Sequence, residues 1–156
     1  MRLTSFTDYS LRVLIYLAAD PERRATVGEI AAAFDIKPNH LTKVVHFLGR
    51  QGWIATVRGK GGGLTLARAP ADIVIGRVVR QTEGADLPAE CFDPESNTCC
   101  ISRICRLRGV LRRATLAFYA VLDEATLADL AHNGRALAQA LQIDVTPPAG
   151  RSARHA

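Results

Sequence analysis

Cysteine is missing from the chain everywhere except between residues 91 and 105, and acidic residues are missing from Ile36 to Ala71. No apolar run approaches the length a bilayer crossing needs, and the start, Met1-Arg2-Leu3-Thr4-Ser5, has no signal-peptide core. No membrane partner is expected, and the protein is expected in the cytoplasm. In that reducing compartment, clustered cysteines serve as ligands or redox groups more often than as structural disulfides. No set of nucleophile, base and orienting group can be argued from the motifs, so an enzyme is not expected.

What is present bounds the rest. With 156 residues, 48% of them hydrophobic, the chain is the size of one compact domain carrying a long helical appendage. The net charge of +5 is unevenly placed. Lys37, Lys43, Arg50, Arg58, Lys60 and Arg68 all fall in the acid-free stretch, which points to a polyanion as partner.

Read in order, the chain opens with a helix from about Thr4 to Ala19, with Phe6, Tyr9, Val13, Tyr16 and Leu17 at helical spacing. Ser5-x-x-Asp8 fits a capping box there, and Asp8 also stands four residues before Arg12 on the same face. Thr26-x-x-Glu29 is a second capping box, opening a short helix with Val27, Ile30, Ala31 and Phe34 inward. Pro38 suits the first position of a third helix, which runs to about Gln51 and stops at Gly52. Its Leu41, Val44, Val45 and Leu48 must face a core, whereas Asn39, Thr42, Lys43, His46 and Arg50 share the other face. Two short helices joined by a tight turn, the second basic outside, predict a helix-turn-helix.

Two strand-like segments follow, 53–57 and 64–66, joined by Arg58-Gly59-Lys60-Gly61-Gly62-Gly63. Glycines let such a tip approach a phosphate backbone closely, and Arg58 and Lys60 bring charge to it, so the hairpin reads as a wing. A phosphate-binding enzyme loop is the competing interpretation, but it would end in Gly-Lys-Ser/Thr and run straight into a helix. On the third helix, Asn39, His40, Thr42, Lys43 and His46 are the expected readers of a major groove, Asn39 suiting adenine and Lys43 guanine.

Beyond the wing, Asp72 is expected to cap a fourth helix over residues 73–83, ended by Gly84. A long helix is expected from about Ser102 to Leu122, with Leu107, Val110, Leu111, Ala114, Ala117, Phe118, Val121 and Leu122 forming one seam. The simplest partner for that seam is the same helix of a second chain, giving a two-fold homodimer. Thr126-x-x-Asp129 opens a last helix. The fold class is therefore mainly α with a small β-hairpin: a winged helix-turn-helix domain (1–83), a cysteine loop (84–106), a dimerisation helix with a C-terminal helix (102–142) and a disordered tail (143–156).

Cys91, Cys99 and Cys105 are spaced C-x7-C-x5-C, with turn-forming Asp93 to Asn97 between the first two and Cys100 beside Cys99. Thiolates prefer zinc and iron-sulfur clusters, so the group points to a soft-metal site, with neither the usual zinc spacing nor a ferredoxin run to decide between them. A zinc-stabilised DNA-binding protein and a thiol-disulfide switch using Cys99 or Cys100 share these features, as does an electron carrier, although a carrier has no need of a wing.

The motifs Leu3-Thr-Ser-Phe-Thr-Asp-Tyr-Ser-Leu-Arg, Asn39-His-Leu-Thr-Lys, Thr56-Val-Arg-Gly-Lys-Gly-Gly-Gly-Leu, Cys105-Arg-Leu-Arg and Thr126-Leu-Ala-Asp-Leu occur in the order seen in one known family. Over nearly the whole chain to about Leu141, the sequence resembles the winged-helix regulators that carry an iron-sulfur cluster, and among them the repressors that respond to nitric oxide. The resemblance implies repression through double-stranded operator DNA, and a cluster held by three cysteines of one subunit, which here match Cys91, Cys99 and Cys105. Members keep five residues between the second and third cysteines, which selects Cys99 over Cys100. In the four-iron form, which the resemblance favours over a two-iron one, the fourth ligand is an aspartate near the start of helix one of the partner subunit. Asp8 holds that position. A related branch that senses iron-sulfur status uses a histidine three residues after the third cysteine, where this chain has Arg108.

Overall fold

The computed structural model describes residues 2–84 and 89–143. Its first helix, α1 (Ser5–Ala19), is the centre of the packing: Val13, Leu14, Tyr16 and Leu17 are buried, and α1 touches elements throughout the fold. Two buried hydroxyls on it are satisfied, Thr7 donating to Thr82 Oγ1 at 2.8 Å and Ser10 to the Phe6 carbonyl at 2.7 Å. The expected Ser5–Asp8 capping box does not form. Thr4 has the extended backbone of an N-cap and its hydroxyl accepts from the Thr7 amide at 3.2 Å, so Ser5 already lies inside the helix. Asp8 is left free of capping and pairs with Arg12 one turn on, at 3.0 Å.

The next two helices, α2 (Val27–Ala33) and α3 (Pro38–Arg50), form the expected helix-turn-helix. The Thr26–Glu29 capping box is complete, Asp35 makes the turn with a left-handed φ of 51°, and Pro38 opens α3. Leu41, Val44 and Leu48 are buried under α3, and Gly52, at φ 70°, lets the chain leave the helix. Strands β1 (Ile54–Val57) and β2 (Gly63–Leu66) then pair antiparallel, Ile54 opposite Leu66 and Val57 opposite Gly63. Trp53 lies just before β1 and is buried.

The Asp72 cap is also corrected. Asp72 ends a short 3-10 turn, Pro70–Asp72, and the fourth helix, α4 (Ile75–Glu83), starts without a side-chain cap. The reason is tertiary: the Ile75 amide, otherwise without a partner, donates to the Ala125 carbonyl at 2.9 Å, and the Leu127 amide returns a bond to Ile73 at 2.9 Å. Gly84 follows α4 at φ 65°.

The long helix α5 (Arg106–Asp123) begins four residues later than expected, because turns closed by Ser102 N–H on the Cys99 carbonyl and Ile104 N–H on the Ile101 carbonyl occupy the preceding segment. Its end is clamped to α4. The Arg80 guanidinium grips both Asp123 carboxylate oxygens at 2.6 Å and lies 4.4 Å over the Tyr119 ring. These hydrogen bonds hold the Asp123 carboxyl below its ordinary range, so the tie is in force at neutral pH and is lost only as pH falls through that lowered value. The expected single seam divides instead: Phe118 and Leu122 pack against the chain's own core, while Leu107, at 59% exposure, Val110 and Val121, at 66%, face outward, as does Leu116 outside the seam.

Finally, Thr126 and Asp129 complete their capping box, but the last helix is broken into α6 (Leu127–Leu130) and α7 (Gly134–Ala140) at Asn133-Gly134. Ile143, expected in the tail, is buried and bonds the Ala138 carbonyl at 2.8 Å. The rest of the expected tail, residues 144–156, lies outside the described residues, as do 85–88 of the expected cysteine loop.

The α4–α5 clamp depends on Gly76, where an added Cβ would lie 2.1 Å from Asp123 Oδ1. Replacing a helical glycine with alanine ordinarily stabilises by roughly 1 kcal/mol. Gly49→Ala, in open space, should follow that rule. By contrast, Gly76→Ala should destabilise by about 1–3 kcal/mol through overpacking. Thermal unfolding of the two variants checks this, and a raised midpoint for Gly76→Ala would contradict the clamp.

Candidate nucleic-acid interface and thiol loop

The exposed face of α3 and the tip of the hairpin lie on the outside of the molecule, with an open hollow of about 590 Å³ between α3 and β1 lined by Thr42, Val45, His46, Arg50, Ile54 and Thr56. Asn39, Thr42, Lys43, His46 and Arg50 are all exposed, as are Arg58 and Lys60 on the tip. Two of these groups already have partners within the fold. The His40 ring, though exposed, stacks on Tyr9 of α1 with centroids 6.2 Å apart, and the Thr42 hydroxyl donates to the Pro38 carbonyl at 3.1 Å. Among the described residues, the side chains of Asn39, Lys43 and His46 are exposed and make no hydrogen bond or ion pair.

The tip itself is shaped by backbone. Gly62 N–H donates to the Gly59 carbonyl at 2.9 Å, and a Cβ on Gly62 would come 2.4 Å from the Val57 carbonyl oxygen, so no other residue fits there. Sequence reasoning missed a third strand-like contact: Ala25 bridges Leu64 through bonds of 3.1 and 2.7 Å, which moors the wing to the start of α2. A bridge between residues so far apart in sequence leaves no local signal.

The thiol loop is built differently. It is held by its own polar side chains rather than by an apolar core: Asp93 accepts from the Glu95 amide at 3.0 Å and the Ser96 hydroxyl at 2.6 Å, and the Asn97 carboxamide bonds the Cys99 amide and the Ser102 hydroxyl, each at 3.1 Å. The Ser96 hydroxyl, seconded by the Glu95 amide, pushes the Asp93 carboxyl below its ordinary value. Cys91 lies in a short 3-10 turn, Glu90–Phe92, and Cys105 immediately precedes α5, where the unpaired amides of the first turn favour negative charge. Cys91, Cys99 and Cys105 are half-buried, whereas Cys100 is exposed.

Among the described residues, no three of His, Cys, Asp and Glu are gathered as a metal ion would need within one chain. The donor set nonetheless suits a cluster. Three soft sulfurs are partly screened from water, and Cys105 opens on a hollow of about 510 Å³ bordered by Phe92 and by Arg103, Arg108 and Arg112, whose charge suits an anionic thiolate-ligated centre. Asp8 stands apart on the first turn of α1, its side chain 44% exposed.

The family model described as "Rrf2: Iron-dependent Transcriptional regulator" matches residues 3–133. This chain belongs to the Rrf2 family. It is 48% identical over 144 residues to the HTH-type transcriptional regulator NsrR of Bacillus subtilis (strain 168), spanning 92% of this chain and 99% of the relative. The NsrR of Halalkalibacterium halodurans is 47% identical over 144 residues, with the same coverage. Among solved structures, CymR (YrzC), the global cysteine regulator of B. subtilis, superposes with a TM-score of 0.69 at 28% identity, over 85% of this chain and 98% of that one. The IscR of T. potens gives 0.69 at 25% identity, over 85% and 88%. The mainly α winged helix-turn-helix fold expected from the sequence is thereby established, and the chain is a transcriptional regulator. No described helix of this Rrf2 protein is long and apolar enough to cross a membrane.

The unequal exposure of the thiols in this Rrf2 chain has a measurable outcome. In metal-free, reduced protein, limiting iodoacetamide should label Cys100 ahead of Cys91, Cys99 and Cys105, as peptide mass mapping would read out. Labelling of Cys99 before Cys100 would contradict the placement of the pair.

Proposed function

We propose that this Rrf2 protein is a cytoplasmic iron-sulfur-cluster repressor that binds operator DNA as a homodimer and releases it when nitric oxide reacts with the cluster. The observation that carries this reading is that one chain combines an outward, acid-free helix and wing with three half-buried thiols, while the fourth, Cys100, stays exposed. The NsrR name borne by its relatives supports it.

The DNA-binding half follows from chemistry. Arg58 and Lys60 on a glycine tip suit phosphate or minor-groove contact, which positions the protein. Asn39, His40, Thr42, Lys43 and His46 lie on the helix that would enter the major groove. The outward apolar side chains of α5 supply the second subunit's contact, since full burial of each is worth about 1.5–3 kcal/mol that a lone chain forgoes.

Cys91, Cys99 and Cys105 would hold the cluster with Asp8 of the partner subunit, and a four-iron cluster is preferred to a two-iron one because Arg108 replaces the histidine of the iron-status branch. Bound there, it supplies iron that reacts with nitric oxide. Asp8 would be the hard oxygen donor among soft sulfurs and so the ligand held least firmly. Once free, its carboxylate has a partner in Arg12, 3.0 Å away in the structure. The loop at the base of α5 and the partner's first helix then part, and the two winged units lose their fixed spacing, a change in the population of two arrangements.

Two sets of outcomes test this. Protein isolated without air should give, by native mass spectrometry, a dimer carrying iron and sulfide. Cys91→Ala, Cys99→Ala and Cys105→Ala should each be colourless, Cys100→Ala should keep the cluster, and Asp8→Ala should keep part of it but react with nitric oxide at a different rate. Zinc as the native occupant, or a colourless Cys100→Ala beside a normal Cys99→Ala, would defeat the ligand assignment.

For DNA, the probes are duplexes recovered by the holo dimer from a randomised pool, and scrambled controls, titrated at several salt concentrations. Arg58→Ala and Lys60→Ala should weaken both duplexes and lower the salt slope by about one unit for each phosphate no longer neutralised. Asn39→Ala and Lys43→Ala should cost about 1–3 kcal/mol on the selected duplex and little on the scrambled one. The opposite pattern would make the wing the reader.

A further inference from the structure

From the contacts of the hairpin we infer that Arg24, a residue outside the helix-turn-helix and the wing, is a positioning residue for the wing tip; this rests on the DNA-binding reading above. The tip from Arg58 to Gly62 is poor in packing: at Gly59 and Gly61 an added Cβ would meet nothing within 4 Å, and both residues have positive φ. A glycine-rich segment of this kind is costly to order on binding. Among the described residues, the one side-chain hydrogen bond made to the tip comes from Arg24, whose Nη1 donates to the Gly61 carbonyl at 3.0 Å.

Arg24 is well mounted for that task. On one side Arg23 is ion-paired to Glu29 of α2, and on the other Thr26 is the N-cap that closes the capping box with the same Glu29. Between them Ala25 is bonded twice to Leu64 at the start of β2, and the Gly63 backbone comes so close that a Cβ there would sit 3.2 Å from Arg24 Cβ. The backbone carrying Arg24 is therefore fixed to α2 and to β2 at once. Its side chain spans from that anchor to the far end of the hairpin, where no apolar contact does the same work.

The consequence is that Arg24 lowers the ordering cost of the tip, so that Arg58 and Lys60 arrive at the DNA already in place. Its guanidinium is engaged with a protein carbonyl and is not required as a phosphate contact. That distinguishes it from Arg58 and Lys60 in an experiment.

Arg24→Ala is compared with Arg77→Ala, an exposed arginine of α4 that loses the same charge without touching the wing. In the free holo protein, trypsin should cut after Arg58 and Lys60 several-fold faster in Arg24→Ala than in Arg77→Ala, at a temperature well below the thermal midpoint of either variant. On selected and scrambled duplexes alike, affinity should fall by roughly three- to tenfold, the size of one hydrogen bond's net contribution, while the salt slope stays that of Arg77→Ala. Equal cleavage rates in the two variants would overturn the proposal. So would a drop of one full unit in salt slope with unaltered cleavage, which would make Arg24 a phosphate contact. If wild-type protein binds no duplex, the DNA-binding reading fails, while the cleavage comparison still decides whether Arg24 orders the tip.

Discussion

The burial of α1 is the constraint on which the rest depends. It packs against α3, α4, α6, α7 and β2, so the helix that carries Asp8 at its exposed start is also the wall against which the recognition helix and the wing are set. Phe6 meets Phe47 of α3 edge-on at 5.3 Å, and Tyr9 stacks on His40, so residues on either side of Asp8 touch α3. The opposite end of the winged unit is fixed by α4, tied to α1 through Thr4, Thr7, Thr82 and Glu83 and to α5 through Arg80 and Asp123. A protein built this way has a packed body carrying the exposed faces of α3 and the wing, and a polar thiol loop hung from it.

That division explains the two characters of the candidate site. The DNA-facing half is preformed, because α3 and the hairpin owe their shape to buried Leu41, Val44, Leu48, Trp53, Ile54 and Leu64. The thiol half holds donors of the right type for a soft metal but, among the described residues, leaves them ungathered within one chain, its loop fixed by backbone turns and by hydroxyl, carboxylate and carboxamide bonds. Such bonds are individually worth about 0.5–1.5 kcal/mol, so a few of them can yield to metal-ligand bonds. Rigidity on one side and pliancy on the other are what a regulator needs if a change at the thiols is to be felt as a change in how two rigid bodies are spaced.

Much of this was legible in the residues. The Thr26 and Thr126 capping boxes, Pro38, Gly52 and Gly84 each act within one helical turn, and each behaves as its local chemistry requires. Where the reading failed, a neighbour distant in sequence or a rival of equal chemistry decided. Thr4 and Ser5 are adjacent hydroxyls, and only the packing of α1 against α4 selects Thr4 as the cap. Asp72 lost its cap because Ala125 supplies an acceptor from fifty-odd residues away. The seam of α5 split because Phe118 and Leu122 found partners in the chain's own core, and the mooring of the wing at Ala25 has no local signature at all. For the candidate site, the choice of Cys99 over Cys100 came from family spacing alone; Cys99 is half-buried and Cys100 exposed.

None of the buried core residues described lies between Val79 and Leu127, so the described part of the segment holding all four cysteines adds no buried residue to the interior. Among the described residues the core is thus completed by side chains outside the cysteine segment, unlike small zinc domains whose folding is the metal's binding energy. A metal bound or lost at those thiols would leave the burial that holds the winged unit together untouched.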